Sequence, residues 1–294
     1  MGLTVNTNLT AMNALGNMAR NTRNLQDSFA KVSSGVRITS ASDDAAGLAV
    51  AENLEIDRRS ARQARRNVAD GISIVQTVEG ATNEVADILK RQRELAVQSA
   101  SETLANTERS YLQDEYAQLT GEVDRIARTV EFNGTSLGAF NVPFGAPQDG
   151  TVMGDPFSKI DVQAGMHNTE NDRIRIGLPS LEYKAIATTS GASVTPTDIS
   201  TVALGQTAIT DLDGMLNYMN KARSNLGATQ NRLESALRSL DTYTQATHAS
   251  ESRIRDADMA FETAEMAKHN ILQQAGVAIL GQANGLNQGA LRLI

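Results

Sequence analysis

The 294 residues carry a net charge of -7 and a pI near 5.1, a balance that argues against a dedicated nucleic-acid binder. There is no cysteine and no tryptophan, and aromatics make up only 4% of the chain, so neither disulfides nor large aromatic clusters hold it together. Long aliphatic and alanine seams must carry the packing instead. Met1 to Ala19 is uncharged but lacks both a basic start and a continuous apolar core, so it does not read as a secretory signal. Taken alone, that points to a cytoplasmic protein.

From Ala11 onward, Ala11, Leu15, Met18, Thr22, Leu25, Phe29, Val32 and Val36 alternate by four and three, a narrow seam of coiled-coil type. Ser33-Ser34-Gly35 ends that helix. Thr39 to Asp44 supplies cap-type residues ahead of Ala45, with Asp43 and Asp44 suited to a helix amino end. Ala45 to Ser99 is one long helical run whose seam includes Ile74, Val78, Ala81, Val85, Ile88 and Leu95. A short break at Ser101 to Thr107 precedes a second run through Leu112, Tyr116, Leu119, Val123, Ile126 and Val130, which makes these two helices antiparallel neighbours.

Past Phe132-Asn133-Gly134 the character changes, because all five prolines lie between Asn133 and Gly205. Asp161-Val162-Gln163 and Arg173-Ile174-Arg175-Ile176 alternate around a turn-rich Gly165 to Asn171, which predicts a β-hairpin. Residues 188 to 201 are rich in Ser and Thr and read as an exposed loop. From Ala208 a seam resumes through Leu212, Met215, Met219, Leu226, Leu233 and Leu240 toward Ile254, giving a third long helix.

The last stretch, Glu251 to Ile294, reads as one helical pattern with two apolar stripes. Ile254, Ala257, Phe261, Ala264, Ile271, Ala275 and Ala278 lie on the first, and Leu272, Gly276, Ile279, Ala283, Leu286, Ala290 and Leu293 on the second. Two stripes require two partners. Ile271 to Leu291 has no charge but carries Gln273, Gln274, Gln282, Asn284, Asn287 and Gln288, a composition for burial among helices and not for a membrane span. The expected fold is therefore mainly α: an elongated antiparallel helical bundle or coiled coil with a small β-hairpin region capping the far end, and the N- and C-termini paired at the other. Pairing those ends with each other would leave one stripe wet, so both are expected to order fully only among other subunits.

Catalytic chemistry finds little support. The three histidines, His167, His248 and His269, have no metal-ligand spacing, Asp43-Asp44 is explained by the helix start, and no phosphate-binding glycine fingerprint occurs. No enzyme, cofactor or metal is expected. Arg58, Arg59, Arg62, Arg65 and Arg66 form a basic cluster, yet Glu52, Glu55 and Asp57 precede it and no aromatics interleave, so a solvated or subunit-contacting face outweighs nucleic acid.

A set of motifs in order then carries a resemblance. They are Leu3-Thr4-Val5-Asn6-Thr7-Asn8, Ser33-Ser34-Gly35-Val36-Arg37-Ile38, Asp43-Asp44-Ala45-Ala46-Gly47-Leu48-Ala49, Asp70-Gly71-Ile72-Ser73-Ile74 and Arg93-Glu94-Leu95-Ala96-Val97-Gln98. Phe132-Asn133-Gly134, Ser252-Arg253-Ile254-Arg255-Asp256-Ala257-Asp258 and Ile271-Leu272-Gln273-Gln274-Ala275 complete it. On these, residues 1 to about 138 and 205 to 294 closely resemble bacterial flagellin, the subunit of the flagellar filament, in a short form without large outer domains.

The resemblance implies an inner coiled-coil layer from 1–34 and 262–294, spokes at 35–47 and 254–261, an outer helical layer from 48–138 and 205–253, and a short hairpin and loop insert at 139–204. Leu15, Met18, Leu25, Phe29, Val32, Leu272, Ile279, Leu286 and Leu293 would be its self-assembly seams. It also implies unfolded export through the flagellar type III apparatus to an extracellular filament, with the filament cap, hook-filament junction proteins and an export chaperone as partners, and neither nucleic acid nor membrane insertion. The family's site for the innate receptor Toll-like receptor 5 maps onto Arg91, Leu95 and Glu115, with Lys90 departing from the glutamine common beside that arginine. A hook-filament junction protein and a cytoplasmic coiled-coil scaffold are the alternatives.

Overall fold

The computed structural model describes residues 8–138, 157–191 and 198–291, with the side chains of 157, 158 and 286–291 outside that description. In chain order the elements are α1 (Leu9–Ser34), α2 (Ala45–Ser99), α3 (Asn106–Thr129), β1 (Glu131–Phe132), β2 (Thr135–Ser136), β3 (Phe157–Gln163), β4 (Arg173–Pro179), α4 (Tyr183–Ser190), α5 (Val202–Arg255) and α6 (Met259–Leu291). The chain divides into two units, Met1–Arg59 with Thr244–Ile294, and Ser60–Tyr243.

In the unit Ser60–Tyr243, α2 and α5 run antiparallel, since Arg93 pairs with Asp213 at 2.6 Å and Arg65 with Asp241 at 2.9 Å. Helix α3 returns along α2, where Gln92 donates to the Tyr116 carbonyl at 3.3 Å. The predicted seams meet here as an aliphatic core of Val85, Leu89, Leu95, Val123, Leu212, Met215 and Met219. Tyr116 and Tyr183 lie within it, their hydroxyls 2.9 Å apart, which satisfies both polar tips where water is excluded. Burial pushes the Tyr183 phenol up to about 12 and the Tyr116 phenol further in the same direction.

A second core of the same unit holds the hairpin. Strands β3 and β4 pair antiparallel with Ile160 opposite Ile176 and Val162 opposite Ile174. Their inward residues Ile160, Val162, Ile176 and Leu178 pack with Val68, Val75, Leu226 and Leu233. Gly71 makes the approach possible, since a Cβ there would stand 3.1 Å from Val162 Cγ2. The hairpin therefore lies along the flank of α2 instead of capping a helix end, as the sequence predicted. Of the loop expected over residues 188–201, 188–190 instead close helix α4, 198–201 are irregular, and 192–197 lie outside the described residues.

In the other unit, α1 pairs with α6. Asn8 caps α1 by accepting from the Ala11 N–H at 3.0 Å, and Gly35, at φ 72°, ends it in the left-handed region that glycine tolerates. The linkers after α1 and α5 join through a single antiparallel bridge between Val36 and Asp256, with Ala257 N donating to Gly35 O at 3.0 Å. Asp43 accepts from the backbone N–H groups of Thr39 and Ser40, each at 3.0 Å, and these bonds, Thr39 first, hold its carboxyl below the usual range. Asp44 accepts from Gly47 N at 2.9 Å and so serves the start of α2 as predicted, whereas Asp43 folds back on the linker through Thr39 and Ser40 instead of capping the helix. The helical pattern read over Glu251 to Ile294 is broken between Arg255 and Met259, where Asp258 caps α6 by accepting from Ala260 N at 2.9 Å.

Candidate assembly surface

The seam between α1 and α6 mixes small and polar residues with a few larger apolar ones. On α1 the covered positions are Ala11, Ala14, Met18, Asn21, Thr22, Leu25, Ser28, Lys31 and Val32, a face spaced by three and four. On α6 the covered positions are Glu262, Met266, His269, Gln273, Gly276, Leu280 and Ala283. Antiparallel register is fixed by four contacts: Lys31 to Glu262 at 3.9 Å, Asn21 to the His269 carbonyl at 2.8 Å, Met18 across Gly276, and Asn8 to the Ala283 carbonyl at 3.1 Å. Asn21 meets His269 twice, since its Oδ1 also lies 2.7 Å from the ring Nδ1.

Large apolar side chains point away from this seam. Phe29 is 64% exposed, Phe261 61%, Ile271 65%, Leu272 49% and Ile279 57%, values ordinarily found for charged residues. So many on two adjacent helices make an apolar face and not scattered exposure. Leu272 and Ile279 also line a groove of about 640 Å³ whose other wall is Thr10, Asn13, Asn17 and Asn24 of α1. Among the described residues no helix is long and apolar enough to cross a membrane.

Of the predicted assembly residues, Met18, Leu25 and Val32 are partly covered by α6, whereas Leu15, Phe29, Leu272 and Ile279 face outward. The side chain of Leu286 and the whole of Leu293 lie outside the described residues. The sequence holds two phase-shifted strings on α1 that share Ala11, Met18, Leu25 and Val32. Hydrophobicity favours Leu15 and Phe29, but the intrachain partner takes Ala14, Asn21 and Ser28. The signal that was missed is size, because close pairing of two helices selects the smaller string.

In the unit Ser60–Tyr243, the predicted receptor residues come together on α2 and α3. Arg91 Nη2 donates to Glu115 Oε1 at 2.8 Å and Arg91 Nη1 to Glu94 at 3.1 Å, and these bonds, Glu115 first, raise the guanidinium above its ordinary pKa. Both partners are well exposed, so the pair contributes little stability. Leu95 is buried and lies beneath this face without reaching its surface. The basic cluster is largely neutralised: Arg58 pairs with Glu251 at 3.0 Å, Arg59 with Glu55, and Arg65 with Asp241. Among the described residues no group of three or more His, Cys, Asp or Glu is placed to hold a metal ion.

A family model for the bacterial flagellin N-terminal helical region matches residues 5–139, and one for the bacterial flagellin C-terminal helical region matches residues 209–294. Flagellin of Halalkalibacterium halodurans is 41% identical over 290 residues, covering 99% of each chain. The flagellar filament core protein flaB2 of Brachyspira hyodysenteriae is 42% identical over 290 residues, again covering 99% of each. A crystal structure of Bacillus cereus flagellin is similar at 29% identity with a TM-score of 0.46, covering 60% of this chain and 88% of that one.

Proposed function

The chain belongs to the bacterial flagellin family, and from that premise we propose how its ends, its middle and its charged face are used. It is a structural, non-enzymatic subunit that polymerises into the flagellar filament, outside the cell. In our reading, residues 1–34 and 262–294 form the inner layer around the filament's central channel, 35–47 and 254–261 the spokes, and 48–138 with 205–253 the outer layer. The insert at 139–204 is short, which gives a smooth filament surface.

The observation that supports this most directly is the division of labour at the paired ends. Ala11, Ala14, Asn21, Ser28 and Gly276, with Met18, Leu25, Val32, Met266 and Leu280, serve the intrachain seam, while Phe29, Phe261, Ile271, Leu272 and Ile279 are left for neighbours. A surface of that kind is stable only when other copies cover it, and a heterologous contact repeated without closure yields a helical fibre. Titrating purified subunits tests it: long polymers above a sharp critical concentration support the reading, and removal of both terminal segments without loss of fibre growth overturns it. Export in an unfolded state through the type III apparatus, with a chaperone, cap and junction proteins as partners, completes the proposal. The absence of cysteine suits such a route.

A second reading concerns Arg91, Glu115 and Leu95 as a Toll-like receptor 5 site. The exposed Arg91 and Glu115 offer a charged pair, while the buried Leu95 holds α2 in place behind them. A cell reporter of the receptor that stays silent with the unaltered protein, or responds equally to Arg91→Ala, refutes it.

A further inference from the structure

We propose that Asn133-Gly134 is a site of spontaneous covalent modification, at which the Asn133 side-chain amide becomes an aspartyl or isoaspartyl carboxylate through a cyclic imide. The two residues form the loop of the β1–β2 hairpin, with φ of 50° and 75°, the left-handed pair required by a two-residue turn. Both are exposed, and a Cβ added at Gly134 would meet nothing within 4 Å. The side of Gly134 where a side chain would stand is therefore open. Among the described residues the Asn133 amide has no hydrogen-bond partner to hold it back.

The chemistry needs only water. The Gly134 backbone nitrogen gives its proton to solvent base and attacks Cγ of Asn133. The N–Cγ bond forms, the Cγ–Nδ2 bond breaks, and ammonia leaves. Water then adds to one of the two imide carbonyls. Opening at Cγ restores the ordinary main chain with an aspartyl side chain, and opening at the backbone carbonyl routes the main chain through Cγ as an isoaspartyl link.

Ring closure requires the Gly134 nitrogen to rotate toward Cγ, so the turn has to open first. That opening is local. The hairpin consists of two residue pairs, Glu131 with Ser136 and Phe132 with Thr135, and the exposed turn at its tip can open while Phe132 and Leu137 stay packed on the second core and Leu137 N stays bonded to the Val130 carbonyl at 2.8 Å. The positive φ of Asn133, uncommon for a residue with a side chain, is relieved in the same step. The product places a new negative charge beside the exposed Glu131.

An internal comparison isolates the role of the backbone. Asn284-Gly285 is the same dipeptide, is also exposed, and also has open space at the glycine. It lies within α6, where the amide nitrogen belongs to the helical ladder and cannot turn toward Cγ until several bonds break. Equal chemistry and equal exposure thus meet unequal freedom.

The test is peptide mapping of the full-length protein after incubation in heavy-oxygen water at mildly alkaline pH, with fragmentation that separates aspartyl from isoaspartyl products. Heavy oxygen is expected at position 133 faster than at position 284 by about tenfold or more. In denaturant the two rates should converge. Asn133→Gln, which would need a larger ring, should abolish label at that position and leave position 284 unchanged. Equal rates in the folded protein overturn the proposal, as does a rate gap that persists in denaturant.

Discussion

Replacing Leu272 and Ile279 together by serine separates the interface from the fold. About half of each residue remains in solvent in the single chain, at 49% and 57% exposure. Complete burial of such a side chain is worth about 1.5–3 kcal/mol, so closure by neighbouring copies adds about 1 kcal/mol for each. The double substitution should therefore weaken subunit addition by about 2 kcal/mol, which raises the critical concentration for polymerisation about 30-fold. Sedimentation of polymer across a subunit dilution series reads this directly. Thermal unfolding of the unpolymerised protein, followed by circular dichroism, should change little. A control at Leu226, which is fully buried in the second core, should unfold that region when changed to serine. A critical concentration within about threefold of the unaltered protein would refute the outward-facing surface as the driving contact.

Asn21→Ala removes both bonds to His269 and leaves the ring Nδ1 without its partner. The α1–α6 pair should lose about 1–2 kcal/mol, seen as faster amide exchange in both helices. Gly205→Ala would place a Cβ 3.1 Å from the Ala100 nitrogen and 3.2 Å from the Ala96 carbonyl, backbone atoms that cannot rotate away. A loss of about 1–3 kcal/mol in chemical denaturation is expected, with normal stability refuting the close helix approach. Burial raises the phenol pKa of Tyr183 and Tyr218 to about 12, and that of Tyr116 as well, so the fold favours their neutral form. The stability this provides is complete below the unfolded phenol pKa near 10 and is lost as pH climbs toward the folded values. Alkaline titration should show these three ionising together with loss of helix, whereas phenolate absorbance from all five tyrosines before any loss of helix would contradict their burial.

The sequence alone determined the helices and the hairpin because these follow from local period. The run from Ala45 to Ser99 was legible to the residue, and the alternation around Ile160 and Ile176 produced β3 and β4. Gly35 and the cap Asp44 were equally plain, since they act on neighbouring backbone. It also exposed the surplus of apolar surface at the carboxyl end, which is a matter of counting stripes. Tertiary structure alone decided which stripe faces which partner. Two strings one residue out of phase run along α1, and either makes a coherent helix face; the choice of Ala14, Asn21 and Ser28 over Leu15 and Phe29 depends on how closely α6 approaches. The apolar period likewise continues through the break before Met259, where Asp258 caps α6 locally and the bridge between Val36 and Asp256, from segments far apart in the chain, joins the two linkers. Period is a property of a segment, whereas phase is settled between two segments.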